Sequence, residues 1–382
     1  MNPQKVSRNG KPEQEERGNE DMSQWPGVQR YLVAVDYIGT NFAGMQKQPN
    51  FRTVQGVLED AFNKFIGQPV SSASSSRTDA GVHALTNVCH VDVERISKRK
   101  PGEVLPPHEP EVVKRAVNHF LQKDAGDISI IDVRFVPMTF HARYRAQERT
   151  YYYRILSGKE PLSIFEKDRA WHVPEDLGLS CMQEACKVLV GHHDFSSFRA
   201  SGCQAKSPIK ILDELRVCEM PAWPAFPMSI DRTSRVNISA TSCKHVSSEG
   251  KASFDNPVEM EGQVSLSKER FMNHGQPDML CQEENGNFGQ DEVLEFGHRR
   301  GHRGYVVVAR AQSFLYHQVR LLVGTLKCVG TGKLSVDDVE SILKARTITV
   351  APPMAPACGL YLAAVKYDFS CNDVNQMEDN GE

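Results

Sequence analysis

The stretch "RYLVAVDYIGTNFAGMQKQPNFRTVQGVLEDAFNKFIG" (residues 30–67) places a strand pattern directly before a helix pattern. Apolar residues alternate from Tyr31 to Tyr37, which predicts a half-buried strand, and a Gly-Thr-Asn turn follows. Apolar residues then recur at helical spacing, with Thr53 as the N-cap and Gly67 as the stop signal. A strand followed so closely by a helix predicts a fold that mixes the two types of element.

Strand and helix patterns continue to alternate along most of the chain. Beyond residue 67 we predict strands at 87–94, 128–136, 209–217, 304–312 and 359–367, and helices at 111–121, 181–190, 314–330 and 335–344. Strands and helices therefore intermingle in both halves of the chain. This order predicts an α+β protein made of two α+β units packed side by side.

Three regions lack this periodicity, and they set the expected domain boundaries. Residues 219–297 are rich in Ser, Asn, Gly, Glu and Pro and hold too few apolar residues to offset the entropy of ordering. We expect a disordered tail at 1–27, a catalytic unit at 28–140, and a second unit at 141–367 that the disordered acidic insertion 219–297 interrupts. A disordered acidic tail at 368–382 completes the chain, and a small independent domain is the alternative for the insertion.

The net charge of −3 hides a segregation of charge along the chain. Residues 1–27 carry −1, residues 219–297 carry −7 and residues 368–382 carry −5, so the remaining chain carries +10. A basic body fits phosphate binding, and a surface that is merely soluble is the alternative.

Composition excludes several classes of protein. With 40% apolar and 24% charged residues the chain matches a soluble globular protein, and it has no run of eighteen apolar residues that could span a bilayer. Its ten scattered cysteines contain no C-x-x-C pair, which favours buried thiols over a disulfide framework or a zinc site. The acidic N-terminus resembles neither a secretory signal nor a transit peptide, which leaves cytoplasm, mitochondrion and nucleus open as compartments.

The segment "SSRTDAGVHA" (residues 75–84) contains an aspartate, Asp79, in a glycine-bearing loop. Arg77 can bind a phosphate or pair with a carboxylate, and Gly81 permits a tight turn. A carboxylate in such a loop is commonly a turn cap, and a nucleophile is the alternative. His83 is expected to pack or to form hydrogen bonds rather than to catalyse.

Two further segments combine charge with apolar or aromatic residues. In "FHARYRAQERTYYYRIL" (residues 140–156) arginines alternate with tyrosines, which suits phosphate contacts and base stacking. The alternative is a strand whose tyrosines alternate between core and surface. In "SFLYHQVRLLVGTLKCVGTG" (residues 313–332) Arg320 lies within an apolar helical face, where it either extends to solvent or, if buried, needs an anionic partner.

Taken in order, these segments resemble the motifs of the TruA family of tRNA pseudouridine synthases. The resemblance spans residues 31–367 without the insertion, its most specific motif is "SRTDAGVHA", and it is greatest for the animal branch called tRNA pseudouridine synthase-like. The other matching segments are "DYIGTNFAGMQKQ" (36–48), "FSSFR" (195–199) and "APACGLYL" (355–362). One departure is Met45, which stands where the family commonly has tryptophan.

The resemblance implies the role of each site residue. Asp79 is the catalytic nucleophile, Arg320 its basic partner, and Tyr151 the aromatic that stacks on the target base, while Arg77 assists extrusion of the nucleotide. The residues expected to contact RNA are Arg77, Tyr151, His141, Arg143 and Arg149. The resemblance also implies two ferredoxin-like subdomains with mixed or antiparallel sheets around a central RNA-binding cleft, a homodimer, and no cofactor or metal.

The reaction explains why a carboxylate suffices. The N1–C1′ bond of uridine breaks, the uracil turns, and C5 joins C1′ without any redox change. Asp79 could attack C1′, add to C6 of the ring, or assist elimination to a glycal, and the resemblance does not choose among these routes. The target base must leave the RNA stack before it can react.

Three other functions compete with this interpretation. The first is an RNA-binding or RNA-chaperone protein that has kept the fold without using the reaction, on tRNA or on mRNA. The second is a glycoside hydrolase, which lacks a clear second carboxylate near the first. The third is metal binding at "GHHDF" (residues 191–195). No third metal ligand lies at a defined spacing from this segment, so we expect it to form a helix end instead.

Overall fold

The computed structural model describes residues 27–220 and 301–369. The predictions of disorder for the tails and the insertion therefore fall almost entirely outside the described residues. In chain order the elements are β1 (Val28–Tyr37), α1 (Val54–Ile66), β2 (Ser72–Ser74), β3 (His83–Glu94), α2 (Pro110–Asp124), β4 (Ile128–Val136), β5 (Glu148–Ser157), β6 (Trp171–Val173), α3 (Leu179–Leu189), β7 (Gly191–Asp194), β8 (Ile209–Leu212), β9 (Glu214–Met220), β10 (Arg303–Ala311), α4 (Gln318–Gly330), α5 (Val336–Ala345) and β11 (Leu360–Lys366).

Nine of the described strands form one mixed sheet in the order β4-β1-β3-β11-β5-β10-β9, with β2 on β3 and β6 on β5. Strands β7 and β8 form a separate pair. The predicted α+β class is confirmed. The two halves of the chain share this sheet, and they join where β11 runs parallel to β3, with Tyr361 opposite His83 and Leu362 opposite Ala84.

The helices of the described residues lie on one face of the sheet. Helices α1 and α2 share a core with β1, β3 and β4, and α3, α4 and α5 share a second core with β5, β9 and β10, in which α5 packs on α3. Leu360 belongs to the second of these cores and Leu362 to the first. Because residues two apart in a strand point to the same side, both cores lie on one face. None of the helices in the described ranges is long and apolar enough to cross a bilayer.

Local signals in the sequence place most elements within a few residues of their observed bounds. The Thr53 hydroxyl accepts the Gly56 N–H at 3.2 Å, and Gly67 ends α1 with a left-handed φ of 89°. Capping by Ser335 and Asp338 starts α5. These ends were predictable because a cap depends on a few adjacent residues.

Three predicted elements differ from the structure. The strand predicted at 209–217 breaks at Asp213, whose N–H donates to the Arg310 carbonyl, so β8 and β9 belong to different sheets. The helix end preferred at "GHHDF" is wrong, because α3 ends at Leu189 and residues 191–194 form β7. The helix predicted from residue 314 starts only at Gln318, because His317 adopts a left-handed φ of 60°.

Helix α4 is crossed closely by the segment 352–359. The Ala355 N–H donates to the Arg320 carbonyl at 3.1 Å. A methyl group added to Gly324 would overlap the carbonyl oxygen of Pro353. Glycine at this position is therefore what lets the segment approach the helix that carries Arg320.

Gly324→Ala is expected to destabilise the protein by about 2–3 kcal/mol, because backbone atoms rather than a flexible side chain must move. Thermal unfolding should show a lower midpoint than in the wild type. Gly301→Ala is the matched control, since an added methyl group there meets nothing within 4 Å. Equal midpoints for the two variants would contradict the expectation.

The predicted packing role of His83 agrees with its surroundings. The Gly39 N–H donates to Nδ1 at 3.0 Å, and Nε2 lies 3.2 Å from the Cys358 carbonyl oxygen, to which it donates. The imidazole stacks on Tyr361 with ring centroids 4.6 Å apart. His83 therefore links the N-terminal half of the sheet to its last strand.

Acid is expected to weaken the fold through His83 and His90. Burial lowers the pKa of each to about 4, whereas an unfolded histidine titrates near 6.5. Between pH 6.5 and 4 the unfolded chain binds more protons than the folded chain does. The contribution of the two histidines to the unfolding free energy is therefore complete above pH 6.5 and is lost as the pH falls towards 4. At pH 4 the protonation of each histidine should have lowered the unfolding free energy by on the order of 3 kcal/mol.

Urea unfolding at pH 7 and pH 5 measures this dependence. His83→Gln removes one of the two groups, so its unfolding free energy should change less between the two pH values than that of the wild type. An unchanged difference would contradict the role of His83, even if the variant were less stable overall.

Candidate active site

Asp79 lies in the loop between β2 and β3, and buried hydrogen bonds fix the start of this loop. The Ser75 N–H donates to the Val88 carbonyl at 2.7 Å, and the Ser75 hydroxyl donates to Asn87 Oδ1 at 2.9 Å. The hydroxyls of Tyr37 and Thr78 lie 2.7 Å apart. The loop is thereby anchored to β1 and β3.

The loop after β1 supports the Asp79 loop from the other side. The Met45 N–H donates to the Thr78 carbonyl at 3.0 Å. Gly44 has a φ of 106°, and a methyl group there would lie 2.9 Å from the Thr78 oxygen. Met45 itself is fully buried, so the departure from the family's tryptophan is accommodated in the core.

A tight turn presents the carboxylate. The Val82 N–H donates to the Asp79 carbonyl at 3.2 Å, and Gly81 between them has a φ of 78°. That conformation favours glycine. The Asp79 side chain is 24% exposed, which leaves it reachable from solvent.

Two basic side chains from the start of α4 meet the Asp79 carboxylate. Nη1 of Arg320 lies 3.7 Å from Oδ2, and Nε2 of His317 lies 3.2 Å from the same oxygen. Arg320 also donates from Nε to the Ala355 carbonyl at 2.8 Å. The structure therefore brings together Asp79 and Arg320, which are 241 positions apart in the sequence.

Burial and charge act on the Asp79 carboxylate in opposite directions. Burial raises its pKa, and the neighbouring His317 and Arg320 lower it by a smaller amount. Burial also lowers the pKa of His317. A carboxylate with a raised pKa is a better base and nucleophile than an exposed one, provided that it stays ionised.

Tyr151 lies on β5 beside the same loop. Its ring meets Phe314 edge to face, with centroids 5.2 Å apart, and its hydroxyl lies near Ser76. Burial raises the pKa of this hydroxyl, so the phenol stays protonated. Tyr153 is fully buried and Tyr152 is 37% exposed on the opposite face, so the tyrosines do alternate as a strand requires.

Comparison with known proteins now decides the family. A family model described as tRNA pseudouridine synthase matches residues 33–145 and 185–368. The chain belongs to this family. It is 35% identical to the tRNA pseudouridine synthase A of Xanthobacter autotrophicus, over 88% of this chain and 99% of that protein. It is 34% identical to the enzymes of the same name from Paramagnetospirillum magneticum, over 89% and 96%, and Caulobacter sp. (strain K31), over 89% and 98%.

These matches confirm the family predicted from the motifs, whereas the placement in its animal branch stays a prediction. The cluster of Asp79, Arg320 and Tyr151 lies beside β3 and β5, the two strands that flank β11 in the middle of the described sheet. Residues 27–220 and 301–369 contain no group of three or more His, Cys, Asp or Glu side chains placed to hold a metal ion.

Arg149, predicted as an RNA contact, is engaged by the protein itself. Its guanidinium donates to the Ser76 hydroxyl at 3.1 Å, the Ser75 carbonyl at 2.9 Å, the Arg143 carbonyl at 3.0 Å and the Gln312 carbonyl at 2.5 Å. Arg149 therefore ties β5 to the loop that carries Asp79. This places it behind the site as a structural support.

His141, Arg143 and Tyr144 form a rim of basic and aromatic side chains. The rings of His141 and Tyr144 lie 4.3 Å apart, and the Arg143 guanidinium lies 5.8 Å from the centre of the Tyr144 ring. Tyr144 is 72% exposed. Such a surface suits the stacking of an unpaired base beside a phosphate.

Arg77 is exposed on the loop that carries Asp79. Its guanidinium donates a long hydrogen bond of 3.4 Å to the Gln204 side chain. A guanidinium held so loosely is free to exchange this partner for a phosphate. The position fits the predicted role of Arg77 in extruding the target nucleotide.

His317 is the site residue that the motif analysis missed. It stands three positions before Arg320 and belongs to the same segment "YHQVR". A basic residue so close to a predicted carboxylate partner is a usable signal, but a regular helix from residue 314 gave no reason to aim it at Asp79. The left-handed turn at His317 is what does so.

Proposed function

We propose that this protein isomerises specific uridines of tRNA to pseudouridine, with Asp79 as the nucleophile and without a cofactor. The observation that carries the proposal is the partly exposed carboxylate of Asp79, which lies within 4 Å of two basic side chains in a chain of this family. The matches to curated relatives named tRNA pseudouridine synthase A extend over nearly the whole length of those proteins. This supports tRNA as the substrate.

The contacts of Asp79 suggest different roles for its two carboxylate oxygens. The closest basic contacts are both made to Oδ2, which leaves Oδ1 to meet the substrate. The N1–C1′ bond breaks with its electron pair going to the uracil, a C5–C1′ bond forms, and the C5 proton leaves. Attack at C1′, addition at C6 and glycal formation each use the same carboxylate, and all three remain open.

The side chains around Asp79 have separate tasks in this proposal. Arg320 keeps the carboxylate ionised despite its burial. Tyr151 holds the detached uracil by stacking while it turns. Because the target base must first leave the RNA stack, at about a few kcal/mol, contacts made elsewhere on the RNA have to offset that cost.

Phosphate contacts along the basic body supply this offset, and the prediction is a strong dependence of affinity on salt. The affinity for tRNA should fall at least about tenfold between about 50 and 200 mM monovalent salt, since each phosphate contact releases counterions. Filter binding or fluorescence anisotropy measures the affinity. A constant Kd over this range would contradict the expectation.

Release of tritium from tRNA labelled at C5 of uridine tests the proposed reaction. Isomerisation replaces the C5–H bond by a C5–C1′ bond, so the wild-type protein should release tritium to water. Absence of release from every tRNA of a total tRNA pool would overturn the proposal. Complementation of a null strain by an Asp79→Asn variant would instead favour the alternative, an RNA-binding protein that does not use the reaction.

The proposal includes two further parts that rest on the family resemblance. We infer that the protein acts as a homodimer that shares one tRNA, and that mRNA is a second candidate substrate. Analytical ultracentrifugation of the full chain tests the first part. Pseudouridine mapping of tRNA and mRNA, from cells with and without the protein, tests the second and identifies the modified positions.

A further inference from the structure

We propose that His317 is a positioning residue for the isomerisation: its Nε2, which lies 3.2 Å from Oδ2 of Asp79, donates to that oxygen when RNA is bound and turns the other oxygen, Oδ1, toward the reacting carbon. The inference rests on the proposed function, because it assigns a task at the same site. It adds a second partner to the carboxylate beside Arg320, with a different task.

The distances favour His317 as the group that sets the direction of the carboxylate. Its Nε2 lies 3.2 Å from Oδ2, within hydrogen-bonding range, whereas Nη1 of Arg320 lies 3.7 Å from the same atom. The Arg320 guanidinium is also held by the Ala355 carbonyl through Nε. Arg320 therefore acts on the carboxylate from a fixed position, and the shorter of the two contacts comes from His317.

The backbone holds the imidazole in a defined place. His317 adopts a left-handed conformation, with φ 60° and ψ 9°, and its carbonyl accepts the Leu321 N–H at 3.0 Å. Left-handed conformations of residues other than glycine carry strain and occur preferentially at functional sites. A regular helical residue at this position would begin α4 earlier and direct the side chain elsewhere.

The neighbouring residue fixes the ring itself. The Tyr316 ring stacks on the imidazole with centroids 3.7 Å apart. The main chain of Tyr316 is bonded on both sides, with its N–H donating to Cys203 Sγ at 3.4 Å and its carbonyl accepting the Ala200 N–H at 3.2 Å. The imidazole is therefore held by packing and does not need the carboxylate to stay in place.

A neutral donor suits this task better than a second cation. The charged and titratable groups that act on His317 are Asp79 and Arg320, and burial lowers the pKa of the imidazole. The ring is then neutral at pH 7, and Nε2 carries the proton that it donates. Such a donor orients the carboxylate without neutralising it, so Asp79 keeps its nucleophilic character while Arg320 keeps it ionised.

Two substitutions separate this task from a merely structural one. His317→Leu keeps the volume and loses the donor, so the single-turnover rate should fall about 10- to 100-fold, with the Kd for tRNA within about threefold of the wild type. His317→Gln places an amide N–H near the position of Nε2 and should recover most of the rate. His119→Leu, on the exposed surface of α2, is the matched control and should keep the wild-type rate.

The pH dependence gives a readout that a loss of packing would not move. The rate falls at acid pH when Asp79 becomes protonated, and without the His317 donor the ionised carboxylate is less stable. The acid limb should therefore shift to higher pH in His317→Leu and return toward the wild-type position in His317→Gln. The inference would be overturned if the acid limb of the rate-pH profile lay at the same pH in all three proteins. Equal losses of rate in the two variants would also overturn it.

A titration of the free protein distinguishes this failure from a failure of the proposed function. Carbon-13 NMR of labelled aspartate carboxyls, with Asp79 assigned from the Asp79→Asn spectrum, reports the pKa of Asp79 without RNA or turnover. A higher pKa in His317→Leu than in the wild type supports the contact even if no pseudouridine is formed. An unchanged pKa would overturn the contact even in an active enzyme.

Discussion

Asp79→Asn is expected to lower the single-turnover rate of pseudouridine formation by at least about 10⁴-fold, because an amide is neither a base nor a nucleophile. The change is nearly isosteric, so the loop that carries residue 79 should keep its hydrogen bonds. Affinity for tRNA should stay within about threefold of the wild type, since in the proposed reaction Asp79 meets the target nucleoside rather than the phosphates that supply most of the affinity. Tritium release measures the rate, and anisotropy measures the affinity.

Asp132→Asn is the control for this change. Asp132 pairs with Arg134 on β4 at 2.9 Å, where both side chains are largely exposed. Exposed pairs of this kind contribute little to stability, and this one lies away from the Asp79 loop. If Asp79→Asn kept more than a few per cent of the wild-type rate, another group would have to be the nucleophile.

Arg320→Leu is expected to lower the rate about 10³-fold. The guanidinium is the permanent charge beside a carboxylate whose pKa burial already raises, so its loss favours the protonated, inactive form of Asp79. The rate at high pH should recover in part, because more of the carboxylate becomes ionised there. A rate-pH profile from pH 5 to 9 measures both effects.

Arg320→Lys should fall between Arg320→Leu and the wild type, at about a 100-fold loss. Arg320 uses Nε for the Ala355 carbonyl and Nη1 for Asp79, and a single ammonium group cannot take both positions. Arg134→Lys, at the exposed pair on β4, is the matched control and should leave the rate unchanged. Full activity of Arg320→Lys would show that charge alone suffices at this position.

The elements of this fold that depend on neighbouring residues were predictable from the sequence. The strand from Tyr31 to Tyr37, the cap at Thr53 and the stop at Gly67 follow from apolar spacing and local hydrogen bonding. The break at Asp213 and the late start of α4 were not, because each is fixed by a contact with a distant segment. Periodicity cannot show where a tertiary contact interrupts it.

The residues of the candidate site were also predictable from the sequence only in part. Asp79, Arg320 and Tyr151 were selected by a resemblance of motifs, and the structure brings the first two within 3.7 Å. Arg149 was selected for its position among tyrosines, but its donors face Ser75, Ser76 and two further carbonyls. A charged residue in an aromatic segment has the same appearance in sequence whether it faces RNA or supports the backbone.

The place of β11 in the sheet has a consequence for how the protein is made. Residues 360–366 follow β3 and β5 by about 200 residues or more in the chain, yet this strand lies between them in the middle of the sheet. A nascent chain therefore exposes the inner edges of both strands until β11 has been synthesised, which favours slow folding and a need for chaperones. A premature stop codon anywhere before residue 360 would leave the two halves of the sheet without the strand that joins them.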